Sequence, residues 1–323
     1  MARWRWSSRK KKLSRHKLQY RGRFAPSPTG PLHFGSLVAA VGSYLDARHH
    51  HGTWLIRMED LDTPRCVPGA ADDILRTLDA FGLHSDEPVI YQSQRTAAYE
   101  EALTQLKKNG DVYPCCCTRK EIADSAINGI EGPVYPGSCR YGILEGREAR
   151  AWRVWTDDKA LTFEDALQGR ITQHLQSEIG DFVVKRADGL FAYQLAVVVD
   201  DAFQDITHVV RGADLLNSTP RQIHLQQLLG LRVPHYMHLP IAVNEAGEKL
   251  SKQTLAQAVN IEQTVNELWC ALRFLQQRPP QELRNEDIGT VWAWAHQNWR
   301  PEYLVGLRAL PAVTDELDHR RNE

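Results

Sequence analysis

The chain has 323 residues, 42% of them hydrophobic, enough to bury a sizeable core in one large domain with an insertion or in two domains. No apolar run approaches the roughly 20 residues of a membrane-spanning helix, which excludes that class. Six cysteines, three of them adjacent at Cys115, Cys116 and Cys117, suit a thiolate cluster in a reducing compartment, the cytoplasm, better than a disulfide framework.

The formal net charge of −1 conceals an asymmetry, because Arg3, Arg5, Arg9, Lys10, Lys11, Lys12, Arg15, Lys17 and Arg21 all precede the first motif. Residues 1–22 are therefore expected to repel themselves and stay disordered, either as a solvated tail or in contact with RNA phosphates. They lack the apolar stretch of a secretory signal.

The first motif runs from Arg23 through Phe24, Ala25, Pro26, Ser27, Pro28, Thr29, Gly30, Pro31 and Leu32 to His33, Phe34, Gly35 and Ser36. Its prolines hold an irregular loop in one shape, and the helical run Leu37–Leu45 places a helix N-terminus, an anion-binding end, directly behind it. Gly35 allows close approach of a phosphate, and His33 offers an imidazole hydrogen bond. His49, His50 and His51 read as the polar end of this helix.

Trp54–Met58 has strand character, giving the strand, loop, helix, strand order of a nucleotide-binding half-sheet. Ala70–Phe81 and Arg95–Lys108 read as amphipathic helices, the second closed by Asn109-Gly110. Cysteines, glycines and prolines from Tyr113 to Gly142 then suggest an inserted subdomain, continued by short strand-like runs such as Phe182–Lys185. Alternation over Phe191–Val199 predicts a buried strand, followed by a second at His208–Val210 ending at Arg211. Thr219-Pro220 opens a helix over Arg221–Leu229. Next comes Gly247-Glu248-Lys249-Leu250-Ser251-Lys252-Gln253, whose two ammonium groups can neutralise a departing pyrophosphate. Val265–Leu275 and Ile288–Trp299 complete the chain as helices, with Trp269, Trp292 and Trp294 expected in the core.

Together, His33-Phe34-Gly35-Ser36 and Lys249-Leu250-Ser251-Lys252-Gln253 resemble the HIGH and KMSKS signatures of class I aminoacyl-tRNA synthetases. Arg23–Gly30, Arg57-Met58-Glu59-Asp60-Leu61-Asp62-Thr63-Pro64-Arg65 and Val210–Leu216 are similar to the glutamyl branch of that family. The resemblance implies an α/β fold: a Rossmann-type parallel sheet split by an inserted zinc-binding α+β subdomain, with C-terminal helices. The halves of the catalytic domain would be 23–110 and 191–260, the insertion 111–190 and the helical end 261–323.

The resemblance also implies roles. Arg23 and Arg211 would grip glutamate's carboxylates, Glu59 its α-ammonium, and Tyr193 would close the pocket, with Phe24, Ala25, Pro26 and Ser27 completing it. His33, Gly35, Ser36 and Lys252 would bind ATP, with its Mg²⁺, and His33, Gly35, Lys249 and Lys252 would serve catalysis. Cys115, Cys117, Tyr135 and Cys139 resemble the family's structural Zn²⁺ site, with Cys116 an extra candidate thiolate.

Only about seventy residues follow Lys252, too few for the helical anticodon-binding region of a full glutamyl-tRNA synthetase. The resemblance thus narrows to members of the branch that activate L-glutamate with ATP in the absence of tRNA and transfer it to the queuosine base at the wobble position of tRNA(Asp). A shortened enzyme charging the 3′ end of tRNA(Glu), and a non-catalytic RNA-binding scaffold, are the alternatives.

Overall fold

A computed structural model describes residues 19–312 apart from 126, 127, 144, 245, 246 and 248–257. Lys249 and Lys252, and most of the basic tail, lie outside the described residues.

The first half-sheet is parallel, in the order β1 (Arg21–Phe24), β2 (Thr53–Met58) and β3 (Ile90–Tyr91). β2 is buried from Trp54 to Met58, the unbroken pattern of a strand covered on both faces. Between β1 and β2 lies α1 (Phe34–His49), and α2 (Ala70–Ala80) and α3 (Thr96–Asn109) flank β3. Gly110 closes α3 in the left-handed region at φ 77°, as the Asn-Gly signal predicts.

The segment after α3 contributes an antiparallel sheet of β4 (Val112–Cys115), β7 (Ala151–Val154) and β10 (Val183–Lys185), and a small hairpin of β5 (Asn128–Gly129) and β6 (Gly132–Pro133). It also carries the short helices α4 (Arg119–Ser125) and α5 (Leu175–Glu178), and the hairpin β8 (Ala160–Asp165) with β9 (Gly169–His174). The end of β8 returns to the main sheet, pairing Asp165 with Tyr236.

The second half-sheet pairs β11 (His208–Gly212) with β12 (His235–Leu239) in parallel. The Thr207 amide donates to the Arg21 carbonyl at 3.0 Å, so β11 starts beside β1 and the halves join there. α6 (Tyr193–Phe203) and α7 (Thr219–Leu228) precede and follow β11. The segment expected to be a strand at Phe191–Val199 is thus a helix from Tyr193 onward. Leu195–Asp201 is buried without a break, and such an apolar run carries no period that separates strand from helix, so packing overrides the β preference of three consecutive valines.

α8 (Thr264–Phe274) and α9 (Ile288–Asn298) pack on α1, and β13 (Ile241–Val243) pairs with β14 (Ala309–Pro311). Trp269 and Trp292 are buried, and Trp294 packs against the same cluster. Their expected core role holds, with the Trp292 indole N–H satisfied by the Phe81 carbonyl at 2.8 Å. Gly42 of α1 lets the helix approach β12, because a Cβ there would lie 2.5 Å from Leu239 Cδ1.

Candidate active site

The strands point their carboxyl ends at one cavity of about 1040 Å³, located where the sheet changes direction between β1 and β11, the usual ligand crevice of an open α/β sheet. Arg23 and Phe24 come from the end of β1, followed by the loop residues Ala25, Pro26 and Ser27. His33 caps α1 and Gly35 and Ser36 lie in its first turn, Glu59 follows β2, Tyr193 opens α6, and Arg211 lies next to the end of β11. The structure therefore brings every described residue expected in the amino-acid and ATP sites to one cavity.

The loop after β1 is tied to the sheet. The Glu59 amide donates to the Pro26 carbonyl at 2.9 Å, and the Val67 amide to the Pro28 carbonyl at 2.9 Å. His33 is itself the N-cap of α1, its Nδ1 accepting from the Ser36 amide at 3.3 Å. In a neutral ring the proton then sits on Nε2 and points to Ser36 Oγ, 3.2 Å away. The first turn of α1 carries no acidic residue, so the positive end of its dipole is left for an anion. Just beyond the lysine loop, the Val259 amide donates to the Leu32 carbonyl at 2.9 Å and Ala258 bridges His33.

Beneath Arg23 lies a buried charge network that the sequence reading missed. Asp201 Oδ1 accepts from Arg23 Nε at 3.1 Å and from Arg57 Nη2 at 2.7 Å. Burial pushes the Asp201 carboxyl up, but the two guanidinium groups outweigh it and hold the pKa below the usual value. Glu59, 3.5 Å from Arg57, goes the other way, because burial raises it more than Arg57 and Arg23 lower it. The neighbouring Asp200 faces the opposite direction, accepting from Gln92, Arg95 and Tyr99. The available signal was the pair of acids at the end of an apolar run, which a buried helix tolerates only when both are matched. With Nε engaged by Asp201, the two Nη groups of Arg23 have no partner among the described residues.

Arg211 is held differently. Its Nε donates to His238 Nε2 at 3.0 Å, its Nη2 to Thr219 Oγ1 at 2.8 Å and to the Leu215 carbonyl at 3.4 Å, and its Nη1 to the Tyr193 hydroxyl at 3.4 Å. Thr219, expected as a helix cap, is the first residue of α7 behind Ser218 at the cap position, and its hydroxyl serves Arg211. His238 Nδ1 lies 2.6 Å from Asp165 Oδ2, both side chains fully buried. Burial drives the His238 pKa down to about 4, so the ring is neutral, donating from Nδ1 and accepting at Nε2.

A second constellation sits at the end of β4. The Sγ atoms of Cys115, Cys117 and Cys139 lie within 4.8 Å of one another. The Tyr135 hydroxyl is 3.4 Å from Cys115 Sγ and 3.5 Å from Cys117 Sγ, and the two sulfurs of Cys117 and Cys139 are 3.6 Å apart. A tetrahedral ion at about 2.3 Å from sulfur and 2.0 Å from oxygen needs separations of about 3.8 and 3.5 Å, so the donor set fits one metal. Cys116 Sγ touches Cys139 Sγ at 3.6 Å but stands outside the mutual trio. Burial raises the Cys139 thiol, but hydrogen bonds from the Cys116 backbone and the Tyr135 side chain, with those of Cys117 and Cys116, bring it down to about 7. Arg153 Nε, 3.3 Å from Cys115 Sγ, adds a cation beside the cluster.

Comparison with known proteins defines the class. The profile of the class I tRNA synthetase (E and Q) catalytic domain matches residues 19–275, and the chain belongs to that family. It is 64% identical over 282 residues to the glutamyl-Q tRNA(Asp) synthetase of Dechloromonas aromatica, covering 87% of this chain and 94% of that protein. The glutamyl-Q tRNA(Asp) synthetase of Chromobacterium violaceum is 58% identical, over 87% of this chain and 93% of its own length. The structure of a glutamate tRNA ligase from Elizabethkingia meningosepticum in complex with its amino acid superposes with a TM-score of 0.63 at 28% identity, covering 73% of this chain. This chain spans 52% of that longer protein. A glutamate-tRNA synthetase from Elizabethkingia anophelis, at 22% identity and a TM-score of 0.74, shares the fold over 92% of this chain and 68% of its own.

Proposed function

We propose that the cavity activates L-glutamate with ATP, without tRNA, and that the resulting glutamyl-adenylate is passed to the queuosine base at the wobble position of tRNA(Asp). The observation that carries this reading is the meeting of Arg23, Glu59, Tyr193 and Arg211, from four separate elements, beside the His33 turn in one cavity. The names of relatives matched over nearly their whole length support the acceptor.

The open Nη groups of Arg23 and the cavity-lining Nη1 side of Arg211 suit two carboxylates, and Glu59 suits an ammonium. Phe24, Ala25, Pro26 and Ser27 line the wall beside them. A glutamate oxygen attacks the α-phosphorus of ATP, forming a C–O–P link as the bond to the β-phosphate oxygen breaks and pyrophosphate leaves with the electron pair. His33, Gly35 and Ser36 receive phosphate oxygens at the α1 terminus, while Lys249 and Lys252 neutralise charge on the leaving group. Magnesium carried by ATP supplies further neutralisation. An acceptor hydroxyl on the queuosine base then attacks the acyl carbon, an ester C–O bond forming as the bond from that carbon to the phosphate oxygen breaks, AMP leaves with the electron pair and the hydroxyl proton is released to solvent. Cys115, Cys117, Cys139 and Tyr135 hold a structural zinc that braces the insertion.

The test offers purified protein, ATP and labelled glutamate to tRNA(Asp) with and without queuosine, and to tRNA(Glu). Label on queuosine-containing tRNA(Asp) alone is expected; label on tRNA(Glu) or on unmodified tRNA(Asp) overturns the acceptor assignment.

A further inference from the structure

The two arginines of the proposed glutamate site are neutralised in different ways. Arg23 is paired directly with a carboxylate, Asp201, as is Arg57 below it. Arg211 is equally buried, yet among the described residues no carboxylate lies within ion-pair distance of it. Its four acceptors are an imidazole nitrogen, two hydroxyls and a carbonyl, all neutral.

The compensating carboxylate stands one ring away. Asp165, brought to the main sheet by the end of β8, accepts a hydrogen bond from His238 Nδ1–H and from the backbone amides of Leu167, Gln168 and His238. That contact commits Nε2 of the neutral ring to accepting from Arg211 Nε. The charged and titratable groups around the ring are Asp165 from β8, Arg211 from β11, Asp214 from the turn after β11, and Tyr236 from β12 itself. A carboxylate on the Nη edge would compete with an anionic ligand, which Asp201 avoids at Arg23 by taking only Nε. An imidazole spacer orients the fork and leaves its charge available.

We infer that His238 is a positioning residue for substrate, holding the Arg211 fork by a neutral acceptor so that its Nη1 edge is presented to a carboxylate of glutamate. The inference rests on the function proposed above and adds to it the residue that sets one arm of carboxylate recognition. Thr219, through its 2.8 Å contact with Nη2, completes the brace.

The test uses glutamate-dependent exchange of pyrophosphate into ATP by the full chain, with no RNA present. His238→Asn keeps an amide donor for Asp165 but removes the acceptor from Arg211. His238→Gln extends a carbonyl to about the place of Nε2. In His238→Asn the KM for glutamate is expected to rise about tenfold or more, while kcat and the KM for ATP stay within about twofold. His238→Gln should recover most of the glutamate affinity. Thermal unfolding of both variants identifies a folding defect, and Gln and Asn variants of equal stability that still differ in glutamate KM separate positioning from structure. An unchanged glutamate KM in His238→Asn, a loss confined to kcat, or no recovery with Gln would overturn the inference. Absence of exchange in the unsubstituted protein would instead remove the proposed function, and this inference with it.

Discussion

Arg23 on β1 and Asp201 on α6 are 178 residues apart in the chain and meet in a buried ion pair of 3.1 Å, with the same carboxylate oxygen also holding Arg57 at 2.7 Å. One acid thus anchors the guanidinium that faces the cavity and the one packed behind it. The Nη groups of Arg23 are aimed by a partner that takes only its Nε, which leaves the bidentate face for a ligand.

Replacing Asp201 with asparagine should strand two buried guanidinium groups. Breaking a buried pair by removing one partner costs about 3–5 kcal/mol, and the retained amide oxygen should reduce this to about 2–3 kcal/mol. Urea unfolding gives the stability change, and the glutamate KM should rise at least about fivefold because Arg23 loses its orientation. A stable variant with unaltered glutamate dependence would show that Asp201 does not aim Arg23.

Lys252→Ala and Arg23→Ala should separate in kinetics. In the proposed mechanism the lysine acts on charge that develops as pyrophosphate departs, so kcat for exchange should fall by about 100-fold or more with little change in glutamate KM. Arg23→Ala should mainly raise the glutamate KM. Equal losses of kcat and glutamate affinity in Lys252→Ala would contradict the assigned role.

Zinc content is measurable directly. The protein as purified should carry zinc in proportion to chain, and Cys139→Ser should reduce it several-fold and lower the melting temperature by on the order of 5 °C. The apolar cluster around Tyr113, Cys115, Cys116, Tyr135 and Cys139 is small, so the metal should account for much of the local stability. Full stability of metal-free protein would remove the structural role.

His238 makes stability depend on pH in a defined window. Its pKa is depressed to about 4 in the fold against about 6.5 unfolded, so between those values the unfolded chain binds more protons and stability rises with pH. The contribution is complete above about pH 6.5 and is lost as pH falls toward 4, on the order of 3 kcal/mol in all. His208, also held at about 4 by burial and by His235 and His50, adds to the same slope. Denaturant titrations of the protein and of His238→Gln at pH 7.5 and 4.5 should show a smaller drop in the variant. Parallel curves would assign the slope to other groups.

Much of the site was legible in local patterns. The proline loop and the helix behind it, the strand Trp54–Met58 and the capped helix ending at Gly110 each carry steric or periodic signals that act within a few residues. The strand expected at Phe191–Val199 is a helix from Tyr193 because Leu195–Asp201, buried throughout, has no amphipathic period, and α6 owes its helical state to the partners packed around it. Asp201 with Arg57, and Asp165 with His238, left no comparable trace, since charges pair through space and their separations of 144 and 73 residues are set by chain topology.

The amino-acid sequence by itself determined which groups were available: an anion-binding turn, a paired-lysine loop, arginines suited to carboxylates and a thiolate cluster, all chemistry that resides in residue types and short spacings. Only the tertiary structure decided how each arginine is balanced, Arg23 by a carboxylate and Arg211 by a neutral ring. That difference arises because electrostatic compensation depends on distance and burial, which are fixed only when β1, α6, β8, β11 and β12 come together.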